Sequence, residues 1–433
     1  MKNQNVFKNF FDLSFKAKLS YVFMGVGQLF YKQYTKGLIF VLLNLSFIFY
    51  FVTRGINDFT GLFTLGTKKS DLWLGIEGDN SIIFLLMGLF SVIVLISWIS
   101  LYLVNLRDIN NIENRIRSGY KLDNFTKEFK KLFNKKFYVF TLLLPILGVL
   151  VFNVIPIVFM ILIAFTNYGG DIVPPELVDW VGLENFKKIL TLSQFAPTFF
   201  KILGWNIIWA ISSTALNYFI GLGLALLYES KDLKHSAIWK SFPVLAYAIP
   251  GFITLLAFKF MFSYGGPINQ MIVENGHKAI GFLDLDAKWM ARLIGLLVNA
   301  WISVPSIMLL ASGLLANRDM SLYEAASIDG ANSWTQFKRI TLPYMIYATT
   351  PVLISQFVGN FNNFGIFYFL RGGLYIDGYF LASDTDLLIN WLYNLSINNN
   401  YYNIGAAISL IIFIITSVIS LLVYVRTNAY KEN

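Results

Sequence analysis

Apolar and polar residues do not alternate along this chain. They separate into long apolar blocks divided by short charged segments. Eight blocks approach or exceed the length of about 20 residues at which a helix crosses a bilayer core: 36–53, 81–104, 137–165, 203–228, 241–262, 289–315, 344–370 and 403–425. The pattern predicts an all-α polytopic membrane protein with about eight transmembrane helices. The first block is the shortest, and Asn44 interrupts it. The aromatic and basic segment before it, 7–34, reads as an interfacial amphipathic helix or a re-entrant piece. No apolar stretch with a small-residue cleavage site precedes the first span, so no signal peptide is expected.

The charged segments orient the spans. With the N-terminus on the cytoplasmic side, inner segments (Lys36 included) hold 23 Lys and Arg and outer segments hold 9. This bias predicts that both termini lie inside and that the number of spans is even. Two parts follow. Residues 1–136 hold the amphipathic segment, two spans and a basic cytoplasmic linker from 105. Residues 137–433 hold six spans with short loops. A short surface helix is expected at 181–190, with Asn185 near its start.

Composition agrees and adds exclusions. Hydrophobic residues make up 56% and charged residues 14% of 433 positions, too apolar for a soluble fold of this size. The net charge of +9 divides into +12 inside, −5 outside and +2 within spans, so topology accounts for it and no nucleic-acid partner is expected. Zero Cys removes disulfides and thiolate sites, and the two His have no partner pattern, so no metal site is expected. No phosphate-cradling Gly-x4-Gly-Lys-Ser/Thr run is present, so the chain should bind no ATP itself.

The richest stretch lies in an inner loop, at 321–343: "SLYEAASIDGANSWTQFKRITLP". It reads as a short exposed helix over 322–328, a left-handed turn at Gly330, and a second short helix whose apolar face is Phe337, Ile340 and Leu342 and which Pro343 ends. The spacing of Glu324, Ala325, Ala326, Asp329, Gly330, Ala331, Phe337, Ile340, Leu342 and Pro343 resembles the EAA loop of bacterial ABC-importer permeases. That resemblance implies a type I importer core of six helices over 137–433. It also implies a separate ATPase engaged by Glu324–Ala331 and alternating access driven by ATP-Mg on that partner, with no cofactor on this chain.

A second stretch, "NFNNF" at 360–364, places three Asn in the middle of the seventh block, where each is expensive unless paired or facing a cavity. Asn360 and Asn363 share a helical face; Asn362 points elsewhere. Carboxamides suit sugar hydroxyls, and they suit helix–helix hydrogen bonds equally well. Together with "AYAIPGFI" at 246–253 and "NAWISVPSIM" at 299–308, this stretch resembles the MalF-type subunit of maltose-type importers. The resemblance implies sugar contacts at Tyr247, Gly251, Ile302, Ser303, Ser306, Gln356, Gly359, Asn360, Asn363 and Gly365. Gly251, Ser306, Gly359 and Gln356 depart from the maltose pattern, which leaves the sugar open.

The implied partners are a second, MalG-like permease subunit, an ATPase dimer and an extracytoplasmic sugar-binding lipoprotein. The segment 166–202 is too short for the folded insertion of the Gram-negative subunit, which points to the plasma membrane of a bacterium without an outer membrane. Lys259 reads as a side chain snorkelling to the outer interface. Pro250 and Pro305, flanking the implied sugar site, are expected to break their helices. A secondary transporter would need an acid well inside a span, and none is present. A membrane glycosyltransferase would need paired carboxylates with partners, and Asp384 and Asp386 stand in an outer loop without basic or His neighbours in sequence.

Overall fold

The computed structural model describes residues 10–426 except 12, 72, 121, 123–133, 135, 136, 231 and 232; most of the expected linker lies outside the described residues. The chain divides into two compact units, Met1–Gly182 and Leu183–Asn433, so the third apolar block belongs to the first unit.

In the first unit, α1 (Phe15–Val22) and α2 (Val26–Phe30) form a short hairpin. α3 (Tyr34–Thr64) continues beyond its apolar block, past Arg54, through a π turn at Phe51–Gly55. α4 (Ser81–Arg117) also outruns its block, so the beginning of the expected linker is helix. The reason is tertiary. Polar residues at the end of α4 face the hairpin instead of water: the Asn105 side-chain oxygen accepts from Gly25 N–H and Gln28 Nε2, and its Nδ2 donates to Ser20 O. Glu113 is buried and accepts from Ser14 and the Tyr31 hydroxyl. The segment before the first span is therefore a hairpin docked on α4, with Phe11, Phe15 and Val22 left exposed. Asn44 is buried in α3, where it accepts from Trp98 Nε1 at 2.9 Å. α5 (Thr141–Ile163) carries a π turn at Leu150–Val154 that ends two residues before Pro156; this widened turn accommodates the proline's missing N–H.

The second unit contains α6 (Glu184–Thr191), α7 (Ala196–Tyr228), α8 (Ser236–Ala248), α9 (Gly251–Met261), α10 (Pro267–Glu274), α11 (Lys288–Ala316), α12 (Met320–Ile328), α13 (Leu342–Phe361), α14 (Phe364–Arg371), α15 (Leu388–Tyr393) and α16 (Tyr402–Arg426). α7 and α11 pack closely: a Cβ at Gly221 would lie 2.7 Å from the Ile307 side chain, so only glycine permits this approach. One apolar cluster gathers Trp205, Trp209, Ile294, Val298, Phe367 and Leu370. A second gathers Tyr218, Leu222, Ile307, Met308, Ala311 and Met345. α6 forms near its expected position, with Asn185 buried and accepting from Asn403 Nδ2 at 3.1 Å.

Of three expectations about breaks, one holds and two change. The fifth block bends by 94° between α8 and α9, at Ile249 and Pro250, as expected. α11, by contrast, runs uninterrupted through Pro305. The seventh block, read as one span, is two helices parted at Asn362 and Asn363. Asn363 caps α14 by accepting from Ile366 N–H. Among the described residues, six single helices are long and apolar enough to cross a membrane, and the bent pair α8/α9 makes a seventh.

Candidate functional site

The EAA segment folds as a bracket. Asp319 caps α12, its side chain accepting from Ser321 N–H at 2.9 Å. At the other end Gly330 adopts φ +81°. Gly330 N–H donates to Ser327 O and Ala331 N–H to Ala326 O, the two bonds of a Schellman ending. Asn332 then caps a short helix at Ser333–Gln336. The two arms are tied by Tyr323 and Thr341, whose hydroxyls lie 3.0 Å apart, and by Gln336 Nε2, which donates to Ser327 Oγ and Ala331 O. No residue of α12 is buried. Glu324, Ala325, Asp329 and Gly330 are exposed, Ala326 and Ala331 are partly so, and Ile328 is 87% exposed. Pro343 does not end the second arm. A π turn at Phe337–Thr341 joins it directly to α13, with Pro343 in the first turn of that helix, where its missing N–H is harmless.

The second constellation lies at the break of the seventh block. On α11, Asn299, Ile302, Ser303 and Ser306 fall on one stripe at helical spacing. Asn299 is buried and bridges the break: its Nδ2 donates to Asn360 Oδ1 at 3.4 Å, and its oxygen accepts from Asn363 Nδ2 at 3.1 Å. Asn360 Nδ2 donates to Thr214 Oγ1 at 3.0 Å. The carbonyls freed at the end of α13 are taken up as well: Trp209 Nε1 donates to Asn360 O, and Asn206 Nδ2 to Phe361 O. The Asn pair thus holds α7, α11 and the break together. The same signal that singled out Asn360, a carboxamide inside an apolar block, also marks Asn206 and Asn299, which sequence reasoning passed over.

The other implied sugar contacts are distributed around this relay. Gly251 opens α9, and a Cβ there would sit 3.9 Å from Ile302, so these two positions meet. Gly365 lies beside Leu255 of α9 and Phe369. Ser306 Oγ donates to Ser303 O at 2.7 Å. Gln356 is half-buried, and its Oε1 accepts no hydrogen bond among the described residues. Gly359 is exposed. Tyr247, in the last turn of α8, is 57% exposed and makes no hydrogen bond or ring contact among the described residues. The opposite stripe of α11, with Trp301, Val304 and Pro305, lines an apolar cavity of about 720 Å³ shared with Phe242 and Ile249.

At the end of α14 an ionic hub fixes the following loop. Arg371 pairs with Asp384 and donates to the carbonyls of Leu283, Asp284 and Leu285. Arg292 donates to Asp384 O and lies over the Trp205 ring. Both acids therefore have polar partners that serve structure: Asp384 has Arg371 and Arg292, and Asp386 accepts from the neighbouring Ser383. Burial pushes the Asp386 carboxyl up to about 6, while Ser383 opposes this by donating to it.

Comparison with known proteins identifies the family. Residues 234–429 match the family described as binding-protein-dependent transport system inner membrane component. The maltodextrin transport system permease protein MalC of Streptococcus pneumoniae is 35% identical over 426 residues, covering 96% of each chain. The galactooligosaccharides transport system permease protein GanP of Bacillus subtilis is 33% identical over 420 residues, covering 96% of this chain and 98% of that one. The crystal structure of a bacterial ABC transporter involved in alginate import superposes with a TM-score of 0.56 at 22% identity, over 69% of this chain and 97% of that one. The chain belongs to the binding-protein-dependent inner-membrane transport components and, within them, to the MalF-like permeases of ABC importers.

Proposed function

We propose that this chain is the permease subunit of an ATP-driven importer of uncharged oligosaccharides in a bacterial plasma membrane. Relatives named for maltodextrin and galactooligosaccharide transport support the substrate class. The observation that carries the mechanism is α12: nine residues, none buried, capped at both ends and hydrogen-bonded to the second arm, which runs directly into α13. A partner that grips Glu324–Ala331 moves α13, and α13 ends at the Asn relay. Closure of an ATPase dimer on α12 would open the passage outward, and hydrolysis would reset it. ATP-Mg sits on that ATPase, not on this chain.

In this reading a MalG-like permease completes the passage, and a sugar-binding lipoprotein delivers substrate from outside in an organism without an outer membrane. Sugar passes Tyr247, Gly251, Ile302, Ser303, Ser306, Gln356, Gly359 and Gly365. Asn360 and Asn363 border the route, with most of their hydrogen-bonding capacity committed to the relay. Glu324→Lys should abolish sugar-stimulated ATPase activity of the reconstituted complex while leaving membrane insertion intact. Unaltered coupling in that variant would refute the role given to α12.

A further inference from the structure

A cavity of about 580 Å³ opens where α9 ends, between the 263–286 loop and the start of the loop after α14. It lies at the outer ends of the fifth, sixth and seventh blocks, by the loop-charge asymmetry. Its size falls within the range of small-molecule sites, about 300–1,000 Å³. Its walls carry the aromatic rings Phe262, Tyr264 and Phe282 together with Lys259, Asp284 and Asp286. Phe262 and Phe282 meet edge to face at 5.4 Å. Tyr264 donates to Asp284 at 2.6 Å, and this carboxylate holds the phenol above its ordinary range, so it stays a neutral donor.

The frame is rigid. Arg371 clamps the carbonyls of 283–285, and Asn269 bonds both the Ser263 and Ile280 backbones. The side chains of Lys259 and Asp286 are exposed and make no hydrogen bond or ion pair among the described residues. An ammonium and a carboxylate without partners, set among aromatic rings on a fixed frame, match the alternating hydroxyl edges and apolar faces of a pyranose. With Arg371 neutralised by Asp384, the wall carries two carboxylates against one ammonium, which disfavours anionic sugars.

We propose that this cavity is an outer receiving site for a neutral oligosaccharide, engaged before the sugar enters the passage between α8/α9 and α11. The proposal rests on the importer reading above. The test uses the full-length chain, assembled with its second permease and ATPase in nanodiscs, with maltotriose as the probe and trigalacturonate as the charged comparison.

Lys259→Ala/Asp286→Ala, which alters only exposed side chains, should weaken maltotriose binding at least five-fold by saturation-transfer NMR. Tyr264→Phe should weaken it by a smaller factor, and trigalacturonate should bind worse than maltotriose. Maltotriose binding lost in Tyr247→Ala and kept in the double variant would overturn the outer site and leave the importer reading standing. So would wild-type complex that binds no maltotriose while cells still import it, or a double variant that loses only its hold on the binding protein. Equal or tighter binding of trigalacturonate would overturn the neutral-sugar assignment. Cells deleted for this chain that take up every oligosaccharide normally would instead overturn the importer reading itself.

Discussion

Asn299→Ala removes the bridge across the broken seventh block, and its effect can be worked from the geometry. Two hydrogen bonds disappear: one of 3.1 Å from Asn363 Nδ2 and a weaker one of 3.4 Å to Asn360 Oδ1. Such bonds contribute about 0.5–1.5 kcal/mol net in proteins, and nearer 0.6 kcal/mol between membrane helices. Truncation also orphans both partners, at about 1–3 kcal/mol for a fully buried group. Asn360 is 6% exposed, so its oxygen stays stranded, whereas Asn363 is half-buried and can turn its amide to water. The sum is about 2 kcal/mol, roughly a thirty-fold shift at 1.4 kcal/mol per decade.

The assay is a double-mutant cycle of Asn299→Ala with Asn363→Ala, read by reversible denaturation in bilayer-mimetic particles, with sugar uptake measured in parallel. A coupling of about 1 kcal/mol is expected, because either substitution removes the same bond. Uptake should fall in both single variants while Glu324-dependent ATPase docking persists. Strict additivity, with wild-type uptake in Asn299→Ala, would refute the reasoning.

Gly330→Val should weaken coupled ATPase activity, because φ +81° costs a β-branched residue about 1–2 kcal/mol or more; the site has open space around it, so no clash contributes. Gly330→Asn, which tolerates that conformation, should retain most of the activity, and equal behaviour of the two variants would remove the backbone argument. Asp384→Asn should destabilise the protein by about 3–5 kcal/mol in thermal unfolding, since it strands a buried guanidinium. The apolar pair Arg371→Met/Asp384→Leu should not rescue it, because three carbonyls lose their donor as well; full rescue would show that the clamp is idle. For Asp386, the folded pKa of about 6 lies above the ordinary value of 3.8, so ionisation opposes folding at neutral pH. Stability should therefore rise as pH falls from about 7 to 4, by up to about 3 kcal/mol, and Asp386→Asn should flatten that slope; a rise that persists in the variant would place the titration elsewhere.

The apolar blocks made most of the architecture legible, because a span must be continuously apolar and the charges between spans must follow topology. The EAA bracket was legible to the level of its cap, since Gly330 was expected in a left-handed turn and is found in one. What escaped reading depended on partners distant in sequence. The end of α4 looks like a polar linker until Ser14, Gln28 and Tyr31 are seen to consume its side chains. The break at Asn362 and Asn363 escaped reading because its compensation comes from afar: Asn206 and Trp209 donate to the Phe361 and Asn360 carbonyls and Asn299 accepts from Asn363, up to 155 positions away. Pro305 looked like a breaker and is tolerated within α11, whereas Pro343 looked like a stop and opens a helix. Arg371, just past the seventh apolar block, is almost fully buried. Tertiary hydrogen bonding, which composition does not record, decided the end of α4, the break at Asn362 and the burial of Arg371.

The exposure of α12 has an evolutionary consequence. Because none of its nine residues contributes to the core, substitutions along its outer face leave the folding stability of the permease nearly untouched. If α12 is where a motor engages, as proposed, selection on that contact can proceed largely independently of selection on the membrane helices. On the proposed role of α12, exchanging one ATPase for another would call first for changes among the dozen positions between Met320 and Ala331, few of which the permease fold itself constrains.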